Sequence, residues 1–189
     1  SLIKAIVKSL QLDERTYKPA LVHSIISKAK NNLQDPAKFL SAHSGEFDKI
    51  QGLNYESLYN IYVEYVQSCR LANVMDFDDL LYYTYVLFAN KENGVCRHYA
   101  SEFKYILVDE YQDTNRLQQK ILSLLFEEMP KKRICVVGDD AQSIYAFRGA
   151  EVNNILNFCE EFKDIKGQKA KLFKLEQNYR STQTIVKAA

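Results

Sequence analysis

The chain has 189 residues, 47% hydrophobic and 26% charged, with a formal net charge of +1. That length holds one ordinary domain, or one domain with a small insertion, and the composition predicts a folded globule rather than a disordered chain. The near-neutral balance excludes a global basic field for nucleic acid, so any such contact has to come from a local patch.

No apolar run approaches the ~20 residues that a membrane span needs. Lys4 and Lys8 interrupt the N-terminal apolar stretch and no small-residue cleavage site follows, so no signal peptide is read there. Cys69, Cys96, Cys135 and Cys159 are widely spaced, form no CxxC pair, and do not cluster with His23, His43 or His98. They read as reduced thiols of a cytoplasmic protein rather than as a structural metal site. The chain begins at Ser1 without methionine and ends at Ala189 inside what reads as a young helix, which predicts an excised piece of a longer protein.

Residues 1–73 read as all helix. Leu2, Ile3, Ile6, Val7 and Leu10 recur at helical spacing. Pro19 suits the first turn of a second helix, with Leu21, Ile25 and Ala29 on one face. Lys28 and Lys30 lie near that helix's end, where cations complement the dipole. Asp35-Pro36 opens a short third helix. Residues 42–53, with Gly45 and Gly52, read as a loop. A longer helix follows over 55–72, with Leu58, Tyr62, Tyr65, Val66 and Cys69 near one stripe. Asp76 then caps another helix whose first turn carries Asp78 and Asp79.

No strand pattern precedes residue 100. Beyond it, residues 105–108 and 134–137 are short apolar runs with β-branched members, and 172–175 is a weaker third strand. Helices are predicted over 115–129, with Leu117, Ile121, Leu124 and Leu125 on one face, and over 152–162. Ser181 can cap a final helix. Strands alternating with helices predict a parallel sheet with crossover helices. The tyrosines at 59, 62 and 65, and at 82, 83 and 85, read as amphipathic packing rather than as a base-stacking ladder.

In a parallel α/β sheet, ligands bind beyond the carboxyl ends of the strands. Both strong strands end in acids, as Val108-Asp109-Glu110 and as Val137-Gly138-Asp139-Asp140. Carboxylates delivered to one edge suggest a hard cation such as Mg2+, which takes oxygen ligands and bridges to phosphate. Asp109 would hold the ion, and Glu110 would orient and deprotonate an attacking water. Alternatively, the acids merely cap the helix that begins near Asn115.

The acids do not stand alone. Asp109-Glu110-Tyr111-Gln112-Asp113-Thr114-Asn115 is followed by Gly138-Asp139-Asp140-Ala141-Gln142-Ser143-Ile144-Tyr145-Ala146-Phe147-Arg148-Gly149-Ala150. Then comes Leu175-Glu176-Gln177-Asn178-Tyr179-Arg180-Ser181-Thr182. In order and spacing these segments resemble motifs II, III and IV of the UvrD/Rep/PcrA helicases of superfamily 1. Residues 76–81 also resemble the segment that re-enters that family's motor domain. The resemblance is specific from about residue 103 to 182 and weaker over the first 73.

The resemblance implies a partial RecA-like, P-loop-type α/β fold with an all-helical insertion: residues 1–73 as the insertion and 74–189 as the C-terminal part of the first motor domain. It implies an ATP-dependent DNA helicase that translocates 3′ to 5′ on single-stranded DNA, with ATP and Mg2+ as cofactors. Asp109 is then the Mg2+ ligand and Glu110 the base. Gln142 is the sensor of the γ-phosphate or attacking water, and Arg180 stabilises charge on the transferring phosphoryl group. Tyr179 stacks on adenine. Gln112 belongs to the nucleotide-binding set and, with Asp113, couples the sites. Tyr145 and Phe147 resemble the pair that stacks DNA bases, a sequence-tolerant contact; the alternative is a hydrophobic turn packed into the core. Arg148 could pair with a motif II carboxylate and link DNA contact to hydrolysis.

Two positions depart from the family. Phe147 stands where tryptophan is frequent, and Ala141 where a third acid is common. The phosphate-cradling GxxxxGK[ST] loop does not occur among the six glycines. By resemblance, the first motor motifs would precede Ser1 and the second motor domain would follow Ala189. The implied partners are single-stranded DNA, single/double-strand junctions, the remaining motor domains of the parent chain, and repair or recombination proteins. Lys4, Lys8, Lys28 and Lys30 are candidate phosphate contacts, against a solvated face as the plainer reading. The helicase subunit of a recombination helicase–nuclease, or a non-hydrolysing DNA-binding module, remains an alternative.

Overall fold

Short helices need packing to persist, and the first core supplies it. The structure is a computed structural model that describes residues 1–42, 49–50, 52–142, 150–151, 153–175 and 177–188. Helix α1 (Leu2–Ser9) begins at Ser1, whose hydroxyl accepts the Lys4 N–H. α2 (Pro19–Asn31) has its proline in the first turn. α3 (Pro36–Ser41) is capped by Asp35, which accepts the Lys38 N–H at 2.7 Å. α4 (Tyr55–Leu71) is capped by Asn54. The stripes read from spacing meet in one core: Ile3, Ile6 and Val7, Ile25 and Ala29, Leu58, Tyr62, Tyr65 and Cys69. Each fully buried aliphatic side chain contributes roughly 1.5–3 kcal/mol, more than propensity gives such short helices. Tyr62, Tyr65 and Tyr82 are buried, so these rings pack rather than present a ladder.

Two readings of this half are corrected. Part of the expected loop over 42–53 forms an antiparallel pair, β1 (Lys49–Ile50) with β2 (Leu53–Asn54). Gly52 turns the chain with φ +83°, a conformation that costs glycine little. The strands are too short to show alternation. Lys30 is not a phosphate contact. It is 1% exposed, and its ammonium sits 2.7 Å from both Asp76 and Asp79.

Those acids open α5 (Phe77–Ala89) in a reciprocal box: Asp76 accepts the Asp79 N–H at 2.7 Å, and Asp79 accepts the Asp76 N–H at 3.2 Å. α6 (Val95–Glu102) follows, a helix that the apolar spacing did not announce. Then come β3 (Ile106–Val108), α7 (Arg116–Glu128) and β4 (Ile134–Val136). β3 and β4 pair in parallel with Ile106 opposite Ile134 and Val108 opposite Val136, so α7 is the crossover. α8 (Asn153–Glu161) and α9 (Gln183–Ala188) complete the described helices.

Ile106, Val108, Ile134 and Val136 join a second core with Phe88, Ala100, Leu125, Phe126, Phe158 and Phe162. Leu107 and Cys135 alternate to the opposite, exposed side. The two cores have no residue in common. The third strand predicted over 172–175 does not form. Leu172, Phe173 and Leu175 are exposed, and a strand without a ladder partner gains little from β-propensity alone. Among the described residues, no helix is long and apolar enough to cross a membrane.

Candidate active site

The parallel pairing continues past the strands. The Val137 N–H donates to the Val108 carbonyl at 2.8 Å, and the Tyr111 N–H donates to the Val137 carbonyl at 3.0 Å. This brings Asp109-Glu110 and Gly138-Asp139 together at the carboxyl end of the sheet. Glu110 adopts φ 48°, ψ 44°, the left-handed region, and a 3-10 turn follows over Tyr111–Asp113. A non-glycine residue held there costs about 1–3 kcal/mol, so the surroundings must enforce it.

Gln112 supplies much of that enforcement. It is buried, its Nε2 donates to Glu110 Oε2 at 2.7 Å, and its Oε1 accepts the Asp139 N–H at 3.0 Å. One amide thus ties the two acidic strand ends together. Asp139 in turn accepts the Ala141 N–H on Oδ1 at 3.0 Å and the Gln142 side-chain amide on Oδ2 at 2.7 Å. Gln142 therefore sits at the same edge as Glu110, in the 3-10 turn Asp140–Gln142.

The bridge depends on a missing methyl. A Cβ at Gly138 would collide with Gln112 Oε1 and come within 2.9 Å of Ile155 Cδ1. We expect Gly138→Ala to cost about 1–3 kcal/mol by overpacking, read as a lower urea midpoint. An unchanged midpoint would show that the bridge yields freely.

The helix beyond is capped by Asn115 and Gln118 in a reciprocal box, so the acids are not its caps. Thr114, just before the cap, closes the 3-10 turn by donating from Oγ1 to the Tyr111 carbonyl at 2.6 Å. Asn154 at the start of α8 donates to the Thr114 carbonyl at 3.0 Å, as does the Glu151 N–H at 3.1 Å. Tyr111 is fully buried, edge-on to Phe158 at 5.5 Å, and burial pushes its phenol pKa up. Sequence reasoning missed Gly138, Thr114 and Asn154 as supports; only a glycine beside two acids was a visible signal.

Other predicted site residues are not brought to this edge by hydrogen bonds or ion pairs among the described residues. Tyr179 is 91% exposed. The Arg180 and Ser181 N–H groups donate to Asn178 Oδ1, each at 2.9 Å. Tyr145, Phe147 and Arg148 lie outside the described residues. Asp113 is half-buried, and its Oδ1 is buried with no hydrogen-bond partner among the described residues.

No three acidic, histidine or cysteine side chains among the described residues converge as a metal cage. The exposed carboxylates of Asp109 and Asp139 do suit Mg2+, which typically takes one or two carboxylates and fills its octahedron with water and phosphate oxygens.

An α/β unit with acidic strand ends bridged by one buried amide is the class that fold and site define. The family model for the UvrD/REP helicase N-terminal domain matches residues 1–163, and the chain belongs to that family. It is similar along its whole length to the ATP-dependent DNA helicase PcrA of Bacillus subtilis, at 39% identity over 189 residues and 24% of that protein. It is likewise similar to DNA helicase II of Rickettsia typhi, at 41% identity and 27% of that protein. The ATP-dependent DNA helicase UvrD1 of Mycobacterium tuberculosis is 38% identical, with 24% covered. The chain thus spans about a quarter of the length of these relatives.

Proposed function

We propose that this chain is the Mg2+-holding and water-activating part of an ATP-dependent DNA helicase motor. Residues 1–73 are the helical insertion, and 74–189 the C-terminal part of a RecA-like first motor domain. The observation that carries the reading is the Gln112 bridge, which ties Glu110 to the Asp139 strand end.

Asp109, with Asp139 beside it, is the carboxylate that would hold Mg2+. The bound ion would neutralise charge on the nucleotide phosphates. Glu110 takes the proton of the attacking water, its carboxylate fixed by Gln112. Gln142, already oriented by Asp139, senses the γ-phosphate side. Arg180 stabilises the transferring phosphoryl group and Tyr179 stacks on adenine. Tyr145 and Phe147 stack DNA bases. Asp113 couples the two functions with Arg148; its buried oxygen, without a hydrogen-bond partner among the described residues, favours a cationic partner. Movement is 3′ to 5′ on single-stranded DNA, with junction DNA as substrate. Repair or recombination proteins are the partners and the cytoplasm the setting.

The full-length protein is expected to hydrolyse ATP only with Mg2+ and single-stranded DNA, and to lose turnover on chelation. The purified 189 residues should show none, because they hold no GxxxxGK[ST] phosphate loop. DNA-stimulated turnover by the 189 residues alone would refute the assignment of the phosphate-binding side to other sequence.

A further inference from the structure

We infer that Asn31, in the first core's α2, is a positioning residue for the acid-bearing turn. The inference rests on the reading of Glu110 as the base. Asn31 is the last residue of α2 and stands between two elements of the other half. Its Nδ2 donates to Asp78 Oδ1 at 3.0 Å and to the Ser27 carbonyl at 2.9 Å. Its Oδ1 accepts from Asn115 Nδ2 at 2.7 Å. This orientation is forced: turned over, the amide would set its oxygen against a carboxylate and its NH2 against another NH2.

From Asn115 backbone and hydrogen bonds together lead to the base. Asn115 fixes the start of α7 through its reciprocal bonds with Gln118, at 2.9 and 3.0 Å. The next residue back, Thr114, closes the 3-10 turn on the Tyr111 carbonyl. Inside that turn, Gln112 holds Glu110 Oε2. Asn31 thus touches no reacting atom, yet it anchors the frame from which the Glu110 carboxylate is aimed. α7 itself is held by burial of Leu117, Leu125 and Phe126, so its folding does not depend on Asn31. What Asn31 sets is the seat of the helix start, and displacements of an ångström cost catalysis far more than they cost packing.

The test uses the full-length protein and single-stranded-DNA-stimulated ATPase, with melting followed in parallel. Asn31→Asp sets a second carboxylate against Asp78 and should lower kcat about tenfold or more with KM for ATP little changed. Adding Asp78→Asn should recover part of the lost kcat: the new carboxylate can accept from Asn115 and from the amide placed at position 78, while it still faces the Ser27 carbonyl. Asn31→Ala, which adds no charge, carries the same reading should Asn31→Asp fail to fold. Wild-type kcat in folded Asn31 variants would overturn the inference. So would a lost kcat that the paired change does not raise at all, or a melting shift without a kcat change. Glu110→Gln, assayed beside them, separates the failures. Turnover in that variant sinks the base assignment, whereas an inactive Glu110→Gln with normal Asn31 variants sinks only the positioning role.

Discussion

Glu110→Gln in the full-length protein is expected to lower DNA-stimulated ATP turnover by about 10²–10⁴-fold, the usual contribution of a positioned general base, while ATP still binds. The substitution is nearly isosteric. Gln112 Nε2 can still donate to the remaining side-chain oxygen, and the left-handed backbone at 110 is no worse for Gln than for Glu. The strand-end ladder through Val108, Val137 and Tyr111 involves no side chain of residue 110. Proton acceptance is what disappears. Turnover measured beside equilibrium binding of a fluorescent ATP analogue separates the two effects. Near-normal turnover would place the base elsewhere, and lost binding would make Glu110 a ligand of the nucleotide complex.

Lys30→Ala should destabilise the 189-residue chain by about 3–5 kcal/mol, the usual cost of breaking a buried ion pair by removing one partner. Lys30 Nζ lies between Asp76 and Asp79, and over the Tyr65 ring at 5.1 Å. Tyr65 donates its hydroxyl hydrogen to Asp76 at 2.8 Å. Removing the ammonium leaves two largely buried carboxylates facing each other. Small domains hold only about 5–15 kcal/mol in total, so much of the margin goes. Lys30→Met with Asp76→Asn and Asp79→Asn should recover most of the loss, since no charge is then stranded. Urea unfolding reads both; equal midpoints for Lys30→Ala and wild type would show that water reaches the pair.

The same network sets a pH window. Burial pulls the Lys30 pKa down, but its bonds and charges with Asp76 and Asp79 outweigh this and hold it above 10.5. Its contribution is therefore fully present below 10.5 and is lost as pH rises through the raised folded value. Burial pushes Asp76 up, yet the bonds from Lys30, the Asp79 N–H and Tyr65 hold it below 3.8. That contribution is present above 3.8 and is lost as pH falls through the lowered value. Stability owed to this network should be level between these limits.

The helices were legible from an apolar stripe, as in α4, or from an acidic cap and first turn, as in α5 behind Asp76. The parallel pair β3–β4 was legible because both strands are short apolar runs around a helical crossover. Residues 172–175 failed because a strand is a property of two chains, and propensity reports only one. Lys30 looked like a solvated helix-end cation, since its partners lie 46 and 49 positions away. The acids could be read from the motif order, but their supports could not. Gln112's bridge to Asp139, Asn154's hold on Thr114 and Asn31's hold on Asn115 join distant segments through single side chains. No periodicity encodes such bonds.

The left-handed backbone at Glu110 bears on how this turn could drift. Glycine would fit that conformation with less strain than a carboxylate residue, and asparagine nearly as well. Glycine at this one position would thus relieve backbone strain while removing the carboxylate. At residue 110 backbone comfort and the side chain's proposed role as base therefore pull in opposite directions.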